Sequence, residues 1–132
     1  MNFNNKYNNV NIPEKLVSWN AKTYVKDAKD IARNLAGIST DLNTQLRKIF
    51  DTLRKKQFEF KAGKQTFSKD EIYILKPRLA YTVARNYKLK PVFDYLDKVI
   101  DKIGSEDDFD KVVKFMESII AYYKFYKGRK QK

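Results

Sequence analysis

The stretch Phe109-Asp-Lys-Val-Val-Lys-Phe-Met-Glu-Ser-Ile-Ile-Ala-Tyr-Tyr123 decides the fold of this chain. Its apolar residues recur at intervals of three and four, the spacing that brings side chains to one face of an α-helix. Ser105 is a predicted N-cap for this helix, and the acidic residues after it suit the positive end of the helix dipole. We expect the helix to end near Lys127. The apolar face consists of Phe109, Val112, Val113, Met116, Ile119, Ile120 and Tyr123.

Four more segments with the same apolar spacing precede this helix. Pro77 interrupts one of them, where we expect either a kink or a short helical turn followed by a main helix from Pro77 to Asn86. Because the connections are short, neighbouring helices should pack antiparallel, and the predicted fold class is all-α, a five-helix bundle with no sheet. The predicted segments are Pro13–Ala36, a helix from the N-cap candidates Ser39, Thr40 and Asp41 to just before Gly63, the Pro77-interrupted region from Ser68, and Pro91 to Gly104.

The length of 132 residues fits one domain. We expect a flexible Asn-rich N-terminal tail over residues 1–12, a single helical bundle over 13–127 and a basic C-terminal tail over 128–132. The longest apolar run, Ile119 to Tyr123, is too short to cross a bilayer, and the first residues do not resemble a secretory signal. With no cysteine in the chain, the expected location is the cytoplasm.

The chain contains no histidine and no cysteine. Imidazole acid–base catalysis, thiol nucleophiles and ordinary zinc sites are therefore excluded. We predict a protein that is not an enzyme, with no cofactor, no metal and no small-molecule substrate. The net charge of +12 attracts polyanions. Nucleic acid is the first expectation, and an anionic membrane or an acidic protein is the second.

The third helical region carries a basic outward face. At helical spacing Arg78, Tyr81 and Arg85 fall together, roughly opposite Leu79 and Val83. Two guanidinium groups beside an aromatic ring can hold phosphates and stack a base. The alternative is an ordinary solvated face.

The second helix offers a further set of cations. Arg47 and Arg54 lie seven residues apart at the edge of its apolar stripe, and Lys48 and Lys55 lie on its far side. These arginines are candidates for phosphate contacts. The alternative is that they extend along the apolar edge for packing alone.

Three carboxylates, those of Asp94, Asp97 and Asp101, line one flank of the fourth helix. Metal ions need ligands that converge, usually from loops or from several elements. With Lys98 and Lys102 as adjacent partners, we interpret this flank as a solvated or protein-contacting stripe.

The last helix is apolar over a wide arc, because Phe115, Tyr122, Phe125 and Tyr126 lie off its main stripe. Either some of these rings are exposed as a contact surface, or the helix occupies the centre of the bundle and is buried on more than one side.

Three segments resemble the small-subunit family of type III-A CRISPR (Csm) effector complexes. They are Thr44-Gln-Leu-Arg-Lys-Ile-Phe50, Leu75-Lys-Pro-Arg-Leu-Ala-Tyr81 with its continuation to Arg85, and the helix from Phe109 to Tyr122. The resemblance covers roughly residues 40–127 in order.

The resemblance implies an all-helical subunit present in several copies within a crRNA-guided ribonucleoprotein. Such subunits form an inner filament, associate with other Csm subunits and help to hold target RNA along the guide, while other subunits carry the catalytic activities. The guide reads sequence by base pairing, so the protein recognises backbone and shape. The RNA contacts that the resemblance favours are Arg47, Lys48, Lys76, Arg78 and Arg85.

Three alternatives remain at this stage. The small subunit of type III-B complexes has the same task and a similar composition, although the segment Leu75–Tyr81 favours type III-A. A helical nucleic-acid-binding regulator would need an exposed basic recognition helix in a short helix-turn-helix, and none stands out. A purely structural bundle that joins protein partners would not bind RNA.

Overall fold

The computed structural model describes residues 12–130, with side chains to residue 128. Within that range the chain forms helices and no strand, which confirms the all-α prediction. A 3-10 turn, Leu16–Ser18, precedes the first helix, and a second, Tyr87–Leu89, follows the fourth. The α-helices are α1 Ala21–Ile38, α2 Asn43–Lys61, α3 Lys69–Tyr73, α4 Leu75–Ala84, α5 Lys90–Ile100 and α6 Glu106–Lys130.

The predicted five-helix bundle corresponds to α1, α2, the α3–α4 pair, α5 and α6, because only Ile74 separates α3 from α4. Almost all of the predicted N-terminal tail and the last two residues of the predicted C-terminal tail lie outside the described residues. None of the helices in residues 12–130 has the length and hydrophobicity that a membrane span requires.

The predicted start of the first helix at Pro13 is wrong. The helix begins at Ala21, and the Asn20 side chain caps it by accepting a hydrogen bond from the Thr23 amide at 3.0 Å. Asparagine is among the best N-cap residues. The chain before Asn20 instead turns so that Trp19 is buried, and the Lys111 ammonium group holds this turn through backbone carbonyls of the first 3-10 turn.

The predicted N-caps of the second helix are also wrong. No side chain of the 39–41 segment caps α2; the residue before the helix is Leu42. Its amide donates to the hydroxyl of Tyr123 on α6 at 3.0 Å, and the same hydroxyl donates to the Ser39 carbonyl at 2.8 Å. The Ser39 and Asp41 side chains bond to each other instead. The backbone hydrogen bonds of the turn before α2 are therefore completed by a side chain 81 positions away in the sequence.

The third helical region is interrupted as Pro77 predicts. Ser68 caps α3 by accepting from the Glu71 amide at 3.2 Å. A continuous helix would need an amide hydrogen at Pro77, and the ring would clash with the preceding turn. The break at Ile74 places Pro77 in the first turn of α4, where a missing N–H costs little. The main helix begins at Leu75 and ends at Ala84, slightly earlier than expected at both ends.

The last two helices begin as predicted. Pro91 lies in the first turn of α5. The Ser105 hydroxyl accepts from the Asp108 amide at 3.2 Å, and the Asp108 carboxylate accepts from the Gly104 amide at 2.8 Å, which gives α6 a reciprocal cap. The end of α6 differs from the prediction, because the helix continues beyond Lys127 to Lys130.

The core is centred on α6, which packs along α1 and α2. The Phe115 ring, off the main apolar stripe, is fully buried between Trp19 at 5.6 Å and Tyr95 at 4.7 Å, centroid to centroid. The helix is therefore buried on more than one side at this level, whereas Phe125 remains 54% exposed near its C-terminal end. Both explanations of its wide apolar arc therefore apply. Burial at the centre of the bundle accounts for the part around Phe115, and an exposed apolar surface is present near the C-terminal end.

The Tyr123 hydroxyl should contribute measurably to stability. Tyr123→Phe removes the acceptor for the Leu42 amide and the donor for the Ser39 carbonyl while keeping the ring in the core. We expect a loss of about 1–2 kcal/mol in the free energy of unfolding, measured by urea denaturation. Tyr122→Phe is the matched control and should change little. Equal effects of the two changes would contradict this role.

The buried pair of Tyr95 and Asp27 should make stability depend on alkaline pH. The Tyr95 hydroxyl donates to the Asp27 carboxylate at 2.6 Å, and burial, reinforced by that bond and the carboxylate charge, raises the pKa of Tyr95 far above its usual value. A raised folded-state pKa means that the neutral phenol stabilises the fold fully below about pH 10 and that this stability is lost as the pH rises further.

Tyr95→Phe should therefore cost about 1–3 kcal/mol near neutral pH, because the buried carboxylate loses a donor. Above about pH 10 the difference between wild type and Tyr95→Phe should narrow by up to about 1.4 kcal/mol per pH unit. Urea denaturation of both proteins across this range measures the difference, so that other titrating groups cancel. If the difference in unfolding free energy between the two proteins stays constant from about pH 8 to about pH 11, the predicted effect of Tyr95 ionisation is refuted.

Candidate nucleic-acid interface

The outward side of α4 carries the predicted basic face. Arg78, Tyr81 and Arg85 are exposed, whereas Leu79 and Val83 are buried in the core. Tyr81 is 68% exposed, and the Arg85 guanidinium lies 5.9 Å from its ring centroid and donates to its hydroxyl at 3.5 Å. We call the three exposed residues the α4 face. Their arrangement presents two guanidinium groups and one ring to the solvent.

One end of the α4 face lies against α2. Lys56, which is buried, donates to Glu59 at 3.0 Å, and this bond is the main reason why the pKa of the Glu59 carboxyl lies below its usual value. The nearby charges of Lys56, Lys55 and Arg78 lower that pKa further. Arg78 of α4 and Lys55 of α2 are therefore both near enough to the Glu59 carboxylate to lower its pKa.

The other end of α4 approaches the beginning of α2. The pKa of Asp41 is lowered first by the hydrogen bond from Ser39 and then by the charges of Lys88 and Lys127. Lys88 follows α4 directly, and Asp41 precedes α2. Since the start of α4 is near the end of α2 and its end is near the start of α2, the two helices run antiparallel.

The four cations predicted on α2 divide between two flanks. Lys48 and Lys55 lie on the flank that faces α4, because a helix turns about 100° per residue and Glu59 occupies that flank too. Arg47 and Arg54 lie roughly a quarter turn away, toward α6. All four side chains are exposed. The structure therefore groups Lys48 and Lys55 with the α4 face and separates Arg47 and Arg54 from it.

Lys76 has a different environment from the other predicted contacts. Its ammonium group lies 2.6 Å from an oxygen of Asp101 and 3.2 Å from an oxygen of Asp97, and 5.8 Å from the ring centroid of Tyr73. Burial opposes the charge of Lys76, but its hydrogen bonds to the two carboxylates outweigh burial and raise its pKa. Lys76 thus joins α4 to α5.

The acidic flank of α5 is paired, but not with its predicted partners. Lys76 binds Asp97 and Asp101, and Lys90 binds Asp94 at 2.7 Å. Among the described residues neither Lys98 nor Lys102 pairs with these carboxylates, and proximity in sequence did not reveal the contact with α4. Among the described residues no group of three acidic side chains is placed to hold a metal ion.

Two exposed rings beside these cations were not among the sequence candidates. Phe58 on α2 is 61% exposed, and Tyr87, after α4, is 68% exposed. Phe58 follows Arg54 by four residues and falls off the apolar stripe of α2, so its helical spacing could have identified it. Tyr87 lies in a 3-10 turn, where no such spacing applies.

A comparison with protein-family models gives one result that bears on this surface. The family model described as Csm2 Type III-A matches residues 18–129. The matched range includes all of α1 to α5, nearly all of α6, and every predicted contact residue. Neither the curated proteins nor the solved structures contain a significant match.

The pairing of Lys76 leads to a prediction about stability. Lys76→Met should lower the free energy of unfolding by about 0.5–1 kcal/mol, because two carboxylates lose their partner while the apolar stem is kept. The loss should shrink at high salt. Lys98→Met, which changes an exposed lysine of α5, is the control. Urea denaturation at two salt concentrations measures both, and the link to α5 is refuted if the two variants are equally stable.

Proposed function

We propose that this chain, which belongs to the Csm2 Type III-A family, holds target RNA against the guide through the α4 face and the adjoining flank of α2. As a member of that family it is a small subunit of a type III-A Csm complex, and membership implies association with other Csm subunits. In the proposed role several copies form an inner filament in the cytoplasm, and none of them is catalytic.

The observation that carries the proposal is the continuity of one basic, aromatic surface across two helices. Arg78, Tyr81 and Arg85 project from α4, and Lys48 and Lys55 lie on the flank of α2 that faces it. Guanidinium groups bind phosphate through planar, paired donors, and an exposed tyrosine offers a face on which a base can stack. The surface therefore matches the backbone and the bases of a single RNA strand.

The cations of this surface differ in how far they are already engaged. Among the described residues no carboxylate pairs directly with Arg78, Arg85 or Lys48, whereas the ammonium group of Lys76 is shared by two carboxylates. We therefore expect Lys76 to hold α4 in position and to contribute less to RNA binding than its neighbours. Arg47 and Arg54, on the far flank of α2, form a second set of RNA contacts.

A non-catalytic role agrees with the chemistry of the chain. It offers neither imidazole nor thiol, and the Asp94–Asp101 stripe of α5 is engaged in ion pairs. The proposed function needs no cofactor, metal or small-molecule substrate, because holding RNA requires only charge and shape. Base pairing with the guide supplies sequence recognition, so contacts to backbone phosphates suffice.

A purely structural bundle remains the rival function. It would explain the helical architecture and the family membership without RNA contacts. The two functions differ in what the α4 face does, because a structural subunit would tolerate its loss unless that face contacts protein.

Loss of the α4-face arginines should weaken RNA binding without weakening the fold. Arg78→Ala and Arg85→Ala should each reduce affinity to a similar extent for RNAs of different sequence, since phosphates carry no sequence information. Each lost phosphate contact should reduce the slope of log binding constant against log salt concentration by about 0.7 for single-stranded RNA. RNA affinity at several salt concentrations measures this, with the chain alone and in the assembled complex.

Two comparisons complete this test. Lys22→Ala removes an equal charge from an exposed position of α1 and should have a smaller effect. Leu79→Ala should cost about 2–5 kcal/mol of stability, because it opens a cavity beneath the same helix. If Arg78→Ala and Arg85→Ala bind RNA like wild type both alone and in the complex, the α4 face is not the RNA site.

A further inference from the structure

Phe58 is exposed in a helix that buries its other phenylalanines. Phe50 and Phe60 on α2 are buried, whereas Phe58 is 61% exposed and points away from the core. The amphipathic pattern of α2 does not require an aromatic residue here, because polar and charged residues occupy the rest of its outer side. Packing therefore does not account for the ring.

The Phe58 ring continues a row of cations along α2. Arg54 precedes it by four residues and Arg47 by eleven, so the three side chains lie within about 40° of one another around the helix. The Arg54 guanidinium lies 5.6 Å from the ring centroid of Phe50, which steadies it at the surface. We call Arg47, Arg54 and Phe58 the α2 row.

The loop after α2 adds a third cation beside this ring. The chain reverses at Gly63, whose φ of 74° favours glycine, and the Lys64 amide donates to the Glu59 carbonyl at 3.0 Å. This turn brings the Lys64 ammonium group to 5.5 Å from the Phe58 ring centroid. The turn therefore places a positive charge next to the exposed ring.

The charge around Phe58 favours a nucleic-acid strand over a protein surface. α2 carries two carboxylates. Glu59 lies about a quarter turn from Phe58 and is bound by Lys56, whereas Asp51 is exposed on the same side as Phe58, two turns before it. An apolar ring with cations in the adjacent turn and loop matches a base flanked by phosphates, as in proteins that bind single strands without sequence preference. A protein partner for this row would have to be acidic and apolar at once.

We propose that Phe58 is a stacking platform for a base of single-stranded RNA, with Arg54, Arg47 and Lys64 binding the adjacent phosphates. This inference rests on the proposed function. It extends that function, because the α2 row lies about a quarter turn around α2 from the flank that faces α4. A strand that contacts both surfaces crosses the outer side of α2. The row is then a second point at which each protomer holds the same RNA.

The test compares Phe58→Leu, Phe58→Ala and Phe58→Trp in the full chain and in the assembled complex. The probe is a short single-stranded oligoribonucleotide carrying 2-aminopurine, whose fluorescence falls when it stacks. Phe58→Leu and Phe58→Ala should both bind RNA more weakly, by about fivefold or more, and should both lose the stacking signal. Leucine keeps the apolar contact but has no aromatic face, so its loss shows that the ring itself is needed. Phe58→Trp should retain both.

Phe125→Leu is the matched control, because Phe125 is similarly exposed but lies near the C-terminal end of α6 rather than on α2. Its RNA affinity should equal that of wild type. Wild-type affinity in Phe58→Leu would overturn the inference, as would equal losses in Phe125→Leu. A change in self-association with unchanged RNA affinity per protomer would assign the ring to a protein contact and also overturn it.

The outcomes separate this inference from the proposed function. If Phe58→Leu binds normally while Arg78→Ala and Arg85→Ala bind weakly, the α4 face holds RNA and the stacking platform is refuted. If all three variants bind normally, both proposals fail. If Phe58→Leu alone weakens binding, the α2 row holds RNA and the assignment of the α4 face is wrong.

Discussion

The Phe115 ring packs against Tyr95 of α5 and Trp19 before α1, so that three distant parts of the chain meet on one side of α6. α6 also packs along α1 and α2. Because α6 is buried on these sides, the helices that pack on it turn their apolar faces toward it, while residues such as Lys114 and Glu117 leave its remaining side exposed. The remaining faces of the other helices are then available to solvent, and the outer sides of α2 and α4 are among them.

Internal ion pairs determine which charges remain at that surface. The carboxylates of α5 bind Lys76 and Lys90, and those of Glu59 and Glu71 bind the buried Lys56. Each pair neutralises a lysine that would otherwise add to the outward field. The positive charge that attracts polyanions therefore comes from cations that form no ion pair among the described residues, such as Arg78 and Arg85 of α4. In this way the same contacts that join the helices also shape the electrostatic surface.

The sequence predicted local features well and distant contacts poorly. Spacing alone separated Leu79 and Val83 from the exposed α4 face, and Pro77 predicted the break before α4. Spacing could not reveal that the Tyr123 hydroxyl replaces a local cap, because that contact joins residues on different helices. The pairing of Lys76 with α5 was hidden for the same reason. The sequence therefore could not show which of the predicted site residues are engaged by tertiary contacts, as Lys76 is.

The position of the proposed RNA contacts on helices rather than on loops affects how they act in an assembly. Arg78 and Arg85 project from a helix whose other side is fixed in the core by Leu79 and Val83, so the spacing between them changes little on binding. Pre-ordered contacts lose less conformational entropy when RNA binds. If neighbouring copies present the same surface along one strand, each later contact forms at high effective concentration. A few phosphate contacts per copy are then enough to hold the strand, and no single protomer needs high affinity for RNA.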